Sequence, residues 1–292
     1  MRKERVLRLD GAQGNTEKRS IPYQEYGARV SQAVTRRSAK RVGRVSGSAR
    51  KQAGPTQKPF AVFDIDGTLI RWQLYHAIAD ALNKFGYIDA ETFLKVKNAR
   101  MNWKERVHSE AFKDYEHELI DTIDQLMTEL TFRQYDKAIN NVFDEYKDQA
   151  YTYSRDLINS LKKDGYILLA ISGSQQEIVE KIAKHYGFDD WIGSEYIRVD
   201  DGFSGKKIVR SADKRTVLEN LIQKHKLSRT RSVGVGDTAT DIPMLEMVET
   251  PIAFNPEINL FNHAQSKGWK IVIERKNVVI ELKAKNGQYI LV

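Results

Sequence analysis

The sequence predicts an α/β protein, with a doubly wound parallel-sheet core and an all-helical cap inserted after the first strand. Three observations carry this expectation. Short apolar runs bounded by glycine or polar residues recur along the chain, helix-length stretches lie between the later ones, and about a hundred residues of helical text separate the first run from the second.

The runs FAVFD (60–64), YILLAI (166–171), RSVGVG (231–236), TPIAF (250–254) and WKIVI (269–273) read as buried strands. SQQEIVEKIAKHYG (174–187) places apolar residues at helical spacing, starts at a serine suited to cap it and stops at a glycine. ADKRTVLENLIQKHK (212–226) follows the same pattern. Strands alternating with helices of this length predict a parallel sheet covered on both faces. Between the first two runs the glycines after the turn are Gly86 and, directly before the second run, Gly165, and the text between reads as helices over 73–85, 91–100, 103–129, 132–147 and 153–163. An insertion there lies over the carboxyl ends of the strands, where such sheets bind ligands. The C-terminal residues predict a hairpin around Asn286-Gly287. The expected organisation is an arm over 1–58, a core over 59–71 and 164–292, and a cap over 72–163.

Composition bounds the function. The chain has 292 residues, 41% of them hydrophobic, enough for a full α/β core and a smaller second domain. With no cysteine there is no disulfide framework, thiolate metal site or cysteine nucleophile, which suits a reducing, cytoplasmic setting. No window approaches the roughly 18 apolar residues that span a bilayer, and the N-terminus lacks the apolar centre of a secretion signal, so a soluble protein is expected. The net charge of +8 is unevenly spread. Residues 1–58 hold 15 Lys and Arg against 4 Asp and Glu, whereas residues 59–292 hold 32 against 35. The arm has little apolar surface to offset its ordering entropy and reads as a solvated, disordered tail, or alternatively as a tether to RNA, DNA or anionic lipid. Glu4, Asp10, Glu17 and Glu25 count against an organellar presequence.

The chemistry concentrates at the ends of the strands. Asp64 and Asp66 close the first run, and at i and i+2 they face one small volume while the chain is extended; Gly67 then permits a tight turn. Two carboxylates so placed repel each other and call for a cation. The second run ends in Ser172-Gly173-Ser174, a hydroxyl and a glycine turn at a helix N-terminus, suited to an anionic oxygen. The third ends in Asp237, with Asp241 four residues on, and Lys214 opens the preceding helix.

In these motifs the chain resembles the haloacid dehalogenase superfamily of phosphatases: DIDGT (64–68), ISGS (171–174), Lys214 in SADKRTVLENL (211–221) and GDTATDIPML (236–245) match its four motifs in order. The helical insert after the first motif, GFDDWIGSEYIRVDDGFSG (187–205) and NPEINLFNHAQSKGW (255–269) resemble the phosphoserine-phosphatase-like branch. The resemblance implies that Asp64 is the nucleophile and forms an aspartyl-phosphate, and that Asp66 is the general acid and then the base. It implies Mg²⁺ held by Asp64, the Asp66 backbone carbonyl and Asp237. Ser172, Gly173, Thr68 and Lys214 would bind the phosphoryl oxygens, and Asp241 would orient Lys214 or a metal-bound water.

Two positions depart from the branch. Where its phosphoserine phosphatases carry a glutamate that reads the substrate amine, this chain has Gln73, which argues against O-phosphoserine; Thr240 replaces an asparagine in the fourth motif. Arg71, Trp72, Arg100, Trp103, Lys104 and Arg106 are candidate cap contacts to the leaving group, with helix packing or solvation as the plainer reading of each. His76, His108, His117, His185, His225 and His263 show no metal-ligand spacing and read as surface or packing residues. The expected function is an Mg²⁺-dependent phosphatase acting on a small phosphorylated metabolite. The alternatives are a phosphotransferase or mutase using the same aspartyl-phosphate, or an adaptor tethered to RNA or membrane by its arm.

Overall fold

The computed structural model describes residues 57–108 and 110–292. The expectations for the basic arm lie outside the described residues, apart from its last two. Nine strands form one sheet in the order β4-β3-β2-β1-β5-β6-β7-β8-β9. They are β1 (Pro59–Phe63), β2 (Ile167–Gln175), β3 (Asp190–Val199), β4 (Gly202–Ile208), β5 (Ser228–Gly236), β6 (Thr250–Phe254), β7 (Lys270–Arg275), β8 (Val278–Lys285) and β9 (Gln288–Leu291). Strands β3, β2, β1, β5, β6 and β7 run parallel, while β4, β8 and β9 add antiparallel edges.

The alternation of strand side chains divides the core into two layers. Phe60, Val62, Leu169 and Ile171 face one side and pack on Leu218, Leu221, Leu245 and Leu260. Ala61, Phe63, Leu168 and Ala170 face the other. The helices on the first side are α7 (Lys214–His225), the short α8 (Ile242–Leu245) and α9 (Ile258–Lys267). On the second lie α6 (Gln176–Tyr186) and the inserted helices α1 (Leu74–Lys84), α2 (Ala90–Glu105), α3 (Ala111–Leu126), α4 (Phe132–Tyr146) and α5 (Thr152–Lys163). Their apolar residues Leu74, Ile78, Leu82, Leu119, Ile123 and Ile139 join the same buried cluster as Phe63, so the insertion shares its core with the sheet.

The chain enters and leaves this insertion along paired backbone. Ile70 bridges Ala150, Arg71 N–H donates to the Gln149 carbonyl at 2.8 Å, and Tyr151 N–H donates to the Leu69 carbonyl at 2.8 Å. The start of α5 is capped from far away: the Glu274 carboxylate on β7, 6% exposed, accepts the N–H groups of Thr152 (3.0 Å) and Tyr153 (2.8 Å).

Two expectations are corrected, and one pair of strands goes beyond them. The helix expected over 103–129 is divided, because Trp103 belongs to α2, where its ring stacks on Tyr115 of α3 at 5.6 Å and the chain must double back between them. The reversal begins at Arg106, left-handed at φ 55°, without the glycine that marks such turns. Ser174 does not cap α6: β2 continues to Gln175, and the Ser174 N–H donates to Ser172 Oγ at 3.0 Å. The β3–β4 hairpin was not expected as strands. Its outer strand GFSGKKI buries only Phe203, as suits a charged edge, and leaves no apolar alternation to read. The expected C-terminal hairpin is present, with Asn286 and Gly287 at φ 51° and 76°.

Candidate active site

Register explains why distant motifs meet. Phe63, the last residue of β1, lies opposite Ala170 of β2 and Val235 of β5, and Asp64 N–H donates to the Val235 carbonyl at 3.0 Å. Asp64 and Asp237 therefore emerge just past the same edge of the sheet, with Ser172 level with them on the irregular end of β2. One carboxylate oxygen each of Asp64, Asp237 and Asp241 lies within 4.8 Å of the others.

Lys214, the first residue of α7 and 3% exposed, binds this cluster from the side. Its Nζ donates to Asp64 Oδ1 at 2.7 Å and to Asp241 Oδ1 at 2.6 Å. Burial works against its charge, but Asp241 and Asp64 outweigh burial and hold the ammonium above its ordinary range. The other oxygen of Asp241 accepts the backbone N–H groups of Asp237 and Thr238, both at 3.0 Å. Asp241 thus orients Lys214 and the loop at once.

The carboxylates outnumber their counter-charge. Burial pushes Asp64 up to about 8, with Lys214 pulling down and Asp241 and Asp66 pushing further up. Asp237 is held well above the carboxylate range by burial and by the fields of Asp64 and Asp241. An all-oxygen set of buried acids with one ammonium among them fits a hard divalent ion such as Mg²⁺. Gly67, at φ 74°, makes the approach possible: a Cβ there would run into the Asp237 carboxylate.

Asp66 faces a different set of partners. Its Oδ1 accepts the N–H of Leu74, the first residue of α1, at 2.6 Å, and its Oδ2 accepts Ser172 Oγ–H at 2.7 Å. Burial raises its pKa, opposed by these two bonds.

The structure thus brings together Asp64, Asp66, Ser172, Lys214, Asp237 and Asp241. Thr68 is placed differently from the expectation of a phosphate contact: it is fully buried, and its Oγ1 donates to Asp237 Oδ1 at 3.0 Å. Gly173 lies beside the site, with its carbonyl accepting Ser194 Oγ–H at 2.8 Å. Sequence reasoning missed Ser154, whose Oγ donates to the Thr68 carbonyl at 2.6 Å. It also missed Glu257, whose N–H donates to the Asp237 carbonyl at 2.9 Å while its Oε1 accepts Ala239 N–H at 2.8 Å. Neither carries a motif; only the NPE turn after β6 hints at Glu257.

The candidate leaving-group contacts divide. Arg100 is framework, bonded to both oxygens of Asp80 (3.0 and 2.8 Å) and to Tyr115 Oη (2.8 Å). Trp103 packs on Tyr115, Arg71 lies 5.5 Å above the Tyr151 ring, and Lys104 and Arg106 are exposed. Gln73 sits at the N-cap of α1 without capping it. Thr240 and Thr238 join their hydroxyls at 2.8 Å, and Thr238 Oγ1 in turn donates to Asp241 Oδ2 at 3.3 Å. His76 is a packing residue as expected, ringed by Trp72, Trp103, Phe112 and Tyr115, and burial with Arg100 nearby pushes it down to about 3.

Comparison with known proteins agrees with this geometry. The model of the haloacid dehalogenase-like hydrolases matches residues 61–246. A histidinol-phosphatase of Neisseria meningitidis serogroup C (strain 8013) is 26% identical over 230 residues, covering 74% of this chain and 98% of that protein. A phosphoserine phosphatase of Mycobacterium tuberculosis (strain H37Rv) is 27% identical over 134 residues, 44% of each chain, so the match spans less than half of that relative. Among solved structures, a Bordetella pertussis Tohama I protein of unknown function superposes with a TM-score of 0.60 at 20% identity, covering 75% of this chain and 99% of that one. A phosphoserine phosphatase solved as a phospho-aspartyl intermediate analogue does so at 0.54 and 23%, covering 76% and 95%. At these identities the structures establish the fold, and the family match with the sequence relatives establishes the rest: the chain belongs to the haloacid dehalogenase-like hydrolases, in their phosphoserine-phosphatase-like branch.

Proposed function

We propose that this enzyme is an Mg²⁺-dependent phosphatase that hydrolyses a small phosphomonoester through an aspartyl-phosphate on Asp64. The observation that carries the reading is the meeting of Asp64, Lys214, Asp237 and Asp241 in one buried cluster beside a separately held Asp66. The phosphatase names of the relatives support it. Asp64 and Asp237, with the Asp66 backbone carbonyl, are the groups to hold magnesium, which when bound neutralises phosphoryl charge as a Lewis acid.

The chain's own residues account for the proton and bond changes. An Asp64 carboxylate oxygen forms the bond to phosphorus as the bond to the leaving oxygen breaks, and the proton held by Asp66 passes to that oxygen. Water then bonds to phosphorus, the Asp64 oxygen–phosphorus bond breaks, and Asp66 takes the water proton. Lys214 and the Ser172 hydroxyl offset charge on the phosphoryl oxygens, while Thr68 holds the Asp237 carboxylate in place. In this reading residues 72–163 act as the cap that closes over the leaving group.

Release of inorganic phosphate from p-nitrophenyl phosphate, measured with magnesium, with EDTA and for Asp64→Asn, tests the proposal. Turnover is expected with magnesium alone, and activity surviving in Asp64→Asn rejects the mechanism. Adding a small alcohol and finding phosphorylated alcohol in place of inorganic phosphate identifies a transferase instead.

A further inference from the structure

Asp66 caps the helix that follows it. The stem fixes the chain as far as Arg71, and beyond it the N–H of Leu74 meets Asp66 Oδ1 at 2.6 Å. Nothing local secures the turn between them: Gln73, at the N-cap position, makes no capping bond, and the first turn of α1 has no acid of its own. The other oxygen of Asp66 accepts the Ser172 hydroxyl. Bonds on two different oxygens fix the plane of a carboxyl, and losing either one frees the group to turn about its last torsion.

A second hold on this turn comes from Tyr75, the residue after Leu74. Its Oη lies 2.9 Å from Tyr196 Oη on β3, and Tyr196 in turn donates to Asp124 Oδ1 of α3 at 2.6 Å. A phenol has one proton to give, so Tyr75 is the donor in the first of these bonds and Tyr196 in the second. Lys207 on β4 donates to the other oxygen of Asp124 and so sets the direction of the whole chain. Tyr196 is 2% exposed, and burial raises both phenols, so each keeps its proton. The turn that binds Asp66 is thereby tied to the antiparallel edge of the sheet.

We propose that Tyr75 is a positioning residue for Asp66: anchored through Tyr196 to the Asp124–Lys207 pair, it fixes the start of α1 so that the Leu74 N–H holds the Asp66 carboxyl facing the leaving oxygen. The inference rests on the phosphatase reading above and adds no step to it. The proton still passes from Asp66 to the leaving oxygen as the bond from that oxygen to phosphorus breaks and the bond from Asp64 forms. Tyr75 gives its own proton to Tyr196 and takes no part in the transfer. Its contribution is the angle of the carboxyl, and a misplacement of about 1 Å is enough to cost about 10²-fold. A tyrosine that only packed would bear on all substrates alike, whereas one that aims a general acid bears on those whose leaving group needs the proton.

The kcat/KM values for phenyl phosphate and p-nitrophenyl phosphate, measured with magnesium, test this. They cover the steps only as far as departure of the leaving group, and nitrophenolate departs with little help from an acid. Tyr75→Phe is expected to lower the value about tenfold for phenyl phosphate and less than about twofold for p-nitrophenyl phosphate. Tyr196→Phe should do the same, and the double variant no more than either, since both break one chain. Tyr186→Phe, which removes a phenol bonded to the Lys147 carbonyl at 2.6 Å, should leave the ratio of the two substrates unchanged. Amide hydrogen exchange reads the anchor without turnover: the Leu74 N–H should exchange about tenfold faster in Tyr75→Phe, with the amides of β5 unchanged. A loss in Tyr75→Phe that is equal on both substrates or absent, or Leu74 exchange as slow as in the wild type, overturns the assignment. A wild type that releases no phosphate from either ester while Leu74 exchange still rises in Tyr75→Phe sinks the phosphatase reading and leaves Tyr75 as the anchor of Asp66.

Discussion

Replacing Lys214 with methionine keeps most of the side chain's length and removes its charge from between Asp64 and Asp241. At 2.7 and 2.6 Å, and with an effective dielectric of about 20, each contact with an ionised carboxylate is roughly 6 kcal/mol of attraction before desolvation is counted. Desolvation of the 3% exposed ammonium offsets much of this, and removing one partner of a buried ionic cluster leaves a net loss of about 3–5 kcal/mol. The expected result is an unfolding free energy from urea titration lowered by that amount in EDTA, partly recovered by magnesium, which places positive charge among the same carboxylates. Turnover should fall by about 10²–10³ because a donor to the phosphoryl oxygens is gone. A stability in EDTA within about 0.5 kcal/mol of the wild type, the range of an ordinary surface substitution, would refute the argument that Lys214 is what keeps these acids together.

Three further outcomes are expected. His76 is pushed from 6.5 down to about 3 in the fold, so its contribution is complete above 6.5 and lost as pH falls toward 3; by pH 5 about 2 kcal/mol of stability is lost. Denaturation at pH 7.5, 6 and 5 should show His76→Phe flattening that part of the profile, and an unchanged slope contradicts a neutral buried imidazole. Asp64 raised to about 8, and Asp237 raised with it, hold protons that magnesium must displace, so the melting-temperature gain from magnesium should grow between pH 6 and 8.5. A gain independent of pH argues against these two acids as ligands. Glu274→Ala strips both acceptors from the start of α5 and should cost about 2–4 kcal/mol by chemical denaturation, while Glu274→Gln, which keeps one acceptor, costs less; equal stability of all three proteins removes the cap.

The reacting groups were legible because strand geometry does the placing. Asp64, Ser172 and Asp237 each follow an apolar run, and parallel strands in register bring the ends of such runs together whatever lies between them. Lys214 and Asp241 could be added from their order along the chain. Contacts that depend on side-chain direction were not legible. The Thr68 hydroxyl turns to Asp237 because the Gly67 turn folds back against it, and no local pattern shows that. Glu274 caps a helix 121 residues away in the chain, and the reversal at Arg106 lacks the glycine that usually announces one. The β3–β4 edge follows the same logic, since a strand that buries one phenylalanine has no apolar rhythm.

The chain enters and leaves the insertion at one stem, residues 69–71 laid against 149–151. Its two ends touch, so the strands on either side keep their register whatever length of chain is inserted between them. A stem of that kind lets one insertion be exchanged for another of different length without moving Asp64, Ser172 or Asp237 relative to one another.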